Sequence, residues 1–256
     1  MTLLAEHHPD RIAATSAIVK WQNDVLWHQL QWWLWGGPVA VGTTTYHHRG
    51  LVRTMDEHDQ LTPYKRLPDL AYLRQVAWTW VYEPLLLVAK SRQIMMTWLF
   101  SAIAAQQVFT PARRVAFICK KFESADANLE RVNTIVNNLP PGLGNPQVDR
   151  IKGYLSCPAT GSLIQAVDEN AEKALRQFTF SWIYSDESSF QANLDEQYKA
   201  ALPTVKGGGR YTGVSTPNGQ DTFHGYLSNQ GEIELVPGRP PLPAHDPAVV
   251  EPAHHS

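Results

Sequence analysis

The stretch LLLVAKSRQIMMTWLF, Leu85 to Phe100, constrains the fold more than any other part of the chain. Leu85 to Ala89 is a short continuous apolar run, which predicts a strand covered on both faces. Met95 to Val108 is apolar, alanine-rich and free of helix breakers, which predicts a helix. The loop between them, KSRQIMMT, delivers backbone N–H groups and the Thr97 hydroxyl to the start of that helix. Such a loop suits a phosphate, because unpaired N–H groups and the positive end of the helix dipole point into it.

Aligned on Thr97 with the phosphate-loop pattern G-x-x-x-x-G-K-[ST], the chain places Lys90 at the first glycine, Met95 at the second and Met96 at the lysine. Despite these replacements the loop resembles that of the large terminase subunits of tailed bacteriophages, the ATPases that pump DNA into empty capsids. Their SRQxGKT loop is matched at Ser91, Arg92, Gln93 and Thr97. Some members of that family move the lysine to the front of the loop, where Lys90 stands. The resemblance implies an ATP site over Lys90, Ser91, Arg92, Gln93, Ile94, Met95, Met96 and Thr97, with Lys90 taking the charge role of the missing lysine. On the alternative reading Lys90 merely ends a core strand at the surface.

Two later segments stand in the order and spacing of the same family. FTFSWIYSDESS, Phe178 to Ser189, is an apolar, aromatic strand ending in Asp186 and Glu187. At the end of a strand beside a phosphate loop, the first carboxylate can hold Mg²⁺ with Thr97, and the second can take a proton from the attacking water. RYTGVSTPNG, Arg210 to Gly219, is a strand ending in Ser215, Thr216 and Pro217, followed by an Asn-Gly turn. It is similar to the terminase coupling motif, and its hydroxyls can hydrogen-bond the attacking water or the catalytic glutamate.

Further site residues rest on the resemblance. Tyr72 and Gln75, in the helix expected after the loop that begins at Leu61, stand where terminases carry an adenine-reading motif, and a glutamine amide can both donate to and accept from adenine. Otherwise Gln75 is an exposed helix residue. Arg131, on a helix expected over Phe122 to Leu139, fits the arginine that reaches a neighbouring subunit's nucleotide and stabilises transition-state charge. Arg92, inside the loop, competes for that role, and a solvated helix arginine is the alternative for Arg131.

Between these motifs VAFICK, Val115 to Lys120, and SLIQAV, Ser162 to Val167, read as strands, with an irregular excursion or short strand pair over Pro146 to Pro158. Alternating strands and helices argue for a parallel sheet. The family implies a three-layer α/β P-loop NTPase of the additional-strand (ASCE) type, with a central, mainly parallel sheet. Residues 61 to 228 form the expected ATPase domain, 1 to 60 a tryptophan-rich helical extension, and 229 to 256 a proline-rich tail expected to be disordered. Nothing in the chain supplies the carboxylate cluster of a terminase nuclease domain.

In the extension, Ala13 to Trp35 reads as helical and ends at Gly36, Gly37 and Pro38, but Trp21, Trp27, Trp32, Trp33 and Trp35 keep no single face. Packing against a neighbouring domain or partner, or stacking on bases, are both open to such a cluster. The histidine pairs His7–His8 and His47–His48 lack companion ligands and read as surface residues. Two cysteines, Cys119 and Cys157, show no metal spacing and read as reduced thiols. A formal charge of −2 announces no global field for nucleic acid, no apolar run is long enough for a membrane span, and no signal peptide is evident.

The reading that follows is an ATP- and Mg²⁺-dependent motor in the cytoplasm of a bacterial host. The partners the family implies are double-stranded DNA, the portal protein and the small terminase subunit, with a homo-oligomeric ring at the procapsid portal. Two other readings stand beside it. One is a catalytically silent assembly module from a truncated or decayed prophage terminase, which Glu187 argues against. The other is a helicase-like translocase, disfavoured by the missing second-domain motifs.

Overall fold

The computed structural model describes residues 9–41, 43–56, 58–140, 147–170, 172–219 and 222–229. His7 and His8, the stop at Pro141 and Gly142 and the proline-rich tail from 230 onward lie outside the described residues.

Helix α1 (Pro9–Trp35) leads straight into a hairpin of β1 (Gly36–Val41) and β2 (Thr44–Arg49). The switch occurs at Gly36, whose φ of +85° carries the chain out of the helix; a Cβ there would lie 1.9 Å from the His48 carbonyl oxygen. A second small hairpin follows, β3 (Arg53–Met55) with β4 (Tyr64–Arg66), and then α2 (Ala71–Tyr82). The tryptophans of α1 divide between two environments. Trp27 and Trp33 are buried, with Trp33 Nε1 donating to the Ala102 carbonyl, whereas Trp21 is exposed. Trp32 stacks on His48 at 4.3 Å, so His48 is half-buried under an indole rather than a plain surface residue.

The remaining strands form one sheet. β5 (Leu85–Ala89) precedes α3 (Met96–Val108), β6 (Arg114–Ile118) and α4 (Phe122–Asn137). The excursion is a hairpin of β7 (Asp149–Ile151) and β8 (Tyr154–Cys157), leading to β9 (Ser162–Val167) and α5 (Glu172–Gln177). β10 (Trp182–Asp186), α6 (Leu194–Lys206), β11 (Arg210–Ser215) and α7 (Thr222–Asn229) complete the described chain. The strand order is β5-β11-β10-β6-β9-β8-β7, parallel from β5 to β9 and antiparallel beyond. β11 is thus inserted between β5 and β10, the strand ending in Asp186, which is the additional-strand arrangement.

Period-two alternation sends the side chains of each central strand to two different layers. Trp182 and Tyr184 of β10, with Val115 and Phe117 of β6, join the core beneath α1 to α4. Ile183, Ala116 and Ile118 join a second core with Ala200 and Ala201 of α6. Helix α3 is buried nearly all round, which explains why it is apolar on every side. Leu85 to Ala89 departs from expectation: β5 is an edge strand, paired only with β11, and Leu85, Leu87 and Val88 are just half-buried. A continuous apolar run reports hydrophobic demand without saying that both faces are fully covered.

Candidate functional site

Asp186 is the last residue of β10, and its parity with Trp182 and Tyr184 turns its carboxylate toward α3 and α4. There Oδ2 accepts from Thr97 Oγ1 and from Asn128 Nδ2, both at 3.2 Å, while Oδ1 accepts from the Glu187 backbone N–H at 3.1 Å. Gln191 anchors the strand end from behind, donating to the Asp186 carbonyl at 2.8 Å. Burial pushes the Asp186 carboxyl up, and the neighbouring Glu187 adds to this, against the hydrogen bonds from Asn128 and Thr97 and the charge of Lys90.

Glu187 adopts a left-handed backbone, φ +51°, at the turn out of β10. Both its carboxylate oxygens are engaged. Lys90 Nζ donates to Oε1 at 2.9 Å; Thr216 donates to Oε2 through its hydroxyl at 3.2 Å and its N–H at 3.4 Å, with the Ser215 hydroxyl at 3.5 Å. Burial opposes ionisation of Glu187, but Lys90 and Thr216 outweigh it and hold the carboxyl below its usual range. The Lys90 side chain is 8% exposed, so its ammonium is committed to this pair rather than to solvent.

The loop between β5 and α3 bends through two non-glycine residues at positive φ, Gln93 at 59° and Met95 at 61°. Met95 therefore occupies a position whose backbone asks for the glycine of the standard pattern. Its side chain and that of Ile94 pack on the core, Met96 is buried, and Ser91, Arg92 and Gln93 are exposed. Tyr72 on α2 donates to the Ile94 carbonyl at 3.3 Å, linking that helix to the loop. Gln75, one turn further along α2, is exposed and does not line the cleft.

An open cleft of about 670 Å³ lies above these strand ends. Arg92 and Thr97 line it from the loop side, Asn128 and Arg131 from α4, and Asp186, Glu187 and Thr216 from the sheet. Pro217 follows at the exposed start of the turn. Arg131 faces its own chain's cleft, with NH1 donating to Asn128 Oδ1 at 2.7 Å and the guanidinium 5.8 Å from the Trp98 ring. Sequence reasoning missed Asn128, Gln191, Lys120 and Lys121, of which the first and the two lysines line the cleft. A signal for Asn128 existed: it falls on the buried stripe of α4 formed by Ala125, Leu129, Val132 and Ile135, a polar residue where an apolar one is due.

A hydroxyl and a buried carboxylate thus converge at a helix start, beneath an exposed arginine and beside the ends of two strands. The fold is that of a phage large-terminase ATPase domain. The HK97 bacteriophage large terminase superposes with a TM-score of 0.54 at 13% identity, over 69% of this chain and 38% of that one. An arginine-to-alanine variant of the Thermus phage P74-26 large terminase ATPase domain gives 0.50 at 18% identity, over 68% and 74%. The unsubstituted Thermus phage domain gives 0.48 at 19% identity, and the chain spans 62% of its length. No family model and no curated relative matches the chain.

In the terminase ATPase fold the described residues hold no cluster of three or more histidine, cysteine or acidic side chains, so a metal here would be held by few protein groups. The donor set of the Thr97 hydroxyl and the Asp186 carboxylate fits Mg²⁺, a hard ion that keeps most of its waters. No helix among the described residues is long and apolar enough to cross a membrane.

Proposed function

We propose that the chain is the ATP-hydrolysing motor domain of a phage DNA-packaging terminase large subunit, coupling hydrolysis to translocation of double-stranded DNA into the procapsid. The observation that carries this is the convergence of Lys90, Thr97, Asp186, Glu187 and Thr216 at adjoining strand ends of a terminase-type sheet. ATP occupies the cleft, with its phosphates against the loop N–H groups and Arg92. Thr97 and Asp186 hold Mg²⁺, which when bound neutralises phosphate charge.

Glu187 is the group that accepts the proton of the attacking water. Its depressed pKa keeps it ionised, Thr216 holds one oxygen, and the other becomes available to water once Lys90 passes to a phosphate. Lys90 sits where it can pass from Glu187 to an incoming phosphate. The Ser215–Thr216–Pro217 segment touches the catalytic carboxylate directly, so a change at the γ-phosphate reaches β11 and the turn beyond it. In this reading the chain works in the bacterial cytoplasm as a ring on the procapsid, with the portal protein and the small terminase subunit as partners.

The test is ATP binding and steady-state hydrolysis at millimolar Mg²⁺, with and without double-stranded DNA. Hydrolysis stimulated by DNA is the expected result. Absence of ATP binding would overturn the reading. Binding without hydrolysis would favour the silent assembly module, a reading that the two methionines at Met95 and Met96 supply with a physical reason.

A further inference from the structure

The cleft contains a buried amide that no terminase motif in the sequence accounts for. Asn128 is 3% exposed and stands between a cation and an anion. Arg131 NH1 donates to its Oδ1 at 2.7 Å, and its Nδ2 donates to Asp186 Oδ2 at 3.2 Å and approaches Cys119 Sγ at 3.5 Å. Only one orientation of the amide satisfies both ends: guanidinium can only donate, so the carbonyl must face Arg131 and the NH₂ must face the carboxylate. Arg131 and Asn128 are three residues apart on α4, on neighbouring positions of one helix face.

We propose that Asn128 is a positioning residue for the metal-side carboxylate, and that Arg131 acts within its own subunit by holding Asn128. This rests on the reading of Thr97 and Asp186 as the Mg²⁺ side of an ATP site. A guanidinium fixed on the amide oxygen polarises the amide and strengthens its N–H donation to Asp186. The carboxylate is thereby held by Asn128, Thr97 and the Glu187 N–H, with its remaining lone pairs directed to the cleft. No lysine or arginine among the described residues pairs directly with Asp186, so positive charge next to α4 reaches it through this amide. Trp98 under the guanidinium limits its swing.

The test compares the affinity of a fluorescent N-methylanthraniloyl-ATP with and without Mg²⁺, at dilutions where light scattering shows monomer. Wild type is measured beside Asn128→Ala, Arg131→Ala and Arg131→Lys, each checked by thermal unfolding. The expected result is that the Mg²⁺-dependent gain in affinity falls about tenfold in Asn128→Ala, the lower end of what loss of such outer partners costs a metal site. Arg131→Ala shifts the same quantity in the same direction in the monomer, Arg131→Lys recovers part of it, and the Asn128→Ala/Arg131→Ala double variant is no worse than Asn128→Ala.

An unchanged Mg²⁺ gain in both single variants of a nucleotide-binding wild type would overturn the relay. So would an Arg131→Ala effect that appears only on assembly, the signature of an arginine acting on a neighbour. A wild type that binds no nucleotide would overturn the ATP-site reading itself, and the relay with it. The partly exposed Arg131 keeps the proposal falsifiable if the buried Asn128 variant does not fold.

Discussion

Lys90 and Glu187 form an ion pair, Nζ to Oε1 at 2.9 Å, although the strands that carry them are separated by β11. The pair spans the additional strand because Lys90 leaves β5 and Glu187 leaves β10 at the same edge of the sheet, where Ser215 ends the strand between them. The Lys90 N–H donates to the Ser215 carbonyl at 2.9 Å, which fixes the root of the lysine against that strand.

If the chain hydrolyses ATP as proposed, this geometry makes both residues necessary for the reaction. Glu187→Gln removes the proton acceptor while keeping the shape, and kcat should fall about 100-fold or more. Lys90→Ala removes the cation at the front of the loop and should lower kcat by a similar factor of about 100. Steady-state phosphate release checks both, and retention of activity in Lys90→Ala would show that the lysine only terminates β5.

Met95 carries left-handed strain. Met95→Gly and Met95→Ala lose the same side-chain packing, but only glycine relieves the backbone. Relief of about 1–2 kcal/mol is set against about 0.5–1 kcal/mol of extra chain entropy for glycine. The glycine variant should therefore be the more stable of the two, by a net of up to about 1.5 kcal/mol, read from urea unfolding midpoints. Equal stabilities would mean that the loop relaxes out of its left-handed turn.

Arg210 closes the end of α2. Its guanidinium donates to the carbonyls of Trp80 at 2.5 Å, Val81 at 2.7 Å and Glu83 at 3.4 Å, and lies 4.9 Å from the Trp80 ring. Burial, with Arg113 nearby, lowers its pKa to about 10, so it remains cationic at neutral pH. Arg210→Met keeps much of the stem but strands those carbonyls, and should cost about 2–3 kcal/mol. Arg210→Lys keeps the charge and loses the fork, so it should recover only part of that loss in chemical denaturation.

The β7–β8 hairpin is tied to α4 by Asp126, which accepts from the Gly153 N–H and from Arg150, both at 2.7 Å. Burial opposes ionisation of Asp126, but these two donors outweigh it and hold the carboxyl below its usual range. A depressed folded-state pKa contributes stability that is fully present above the unfolded value and is lost as pH falls through the folded value. Thermal midpoints should therefore drop between pH 5 and pH 3 more steeply in wild type than in Asp126→Asn, measured as the difference between the two curves. Parallel curves would show that the hairpin tie carries no net stability.

Much of the sheet was legible in the chain. SLIQAV forms β9 with the bounds that its pattern predicts, the aromatic run ends in Asp186 as expected, and α3 begins one residue beyond Met95. The edge position of β5 was not legible, because a strand's own residues do not say how many neighbours it will have. Nor was the role of Asn128, whose partners lie on other elements.

By itself, the sequence determined the order of the central strands β5, β6, β9, β10 and β11 with helices α2, α3 and α4, though not the hairpins over residues 36–66, and the kinds of group at the strand ends: an ammonium, a hydroxyl, two carboxylates and a Ser-Thr pair. These follow from local periodicity and side-chain chemistry, which are properties of short stretches. Only the tertiary structure decided that β11 lies between β5 and β10, that Lys90 meets a carboxylate 97 residues away, and that Arg131 turns to Asn128 in its own chain. Strand neighbours in a parallel sheet are selected by how two helical layers bury the two faces together, and that choice depends on the whole core at once.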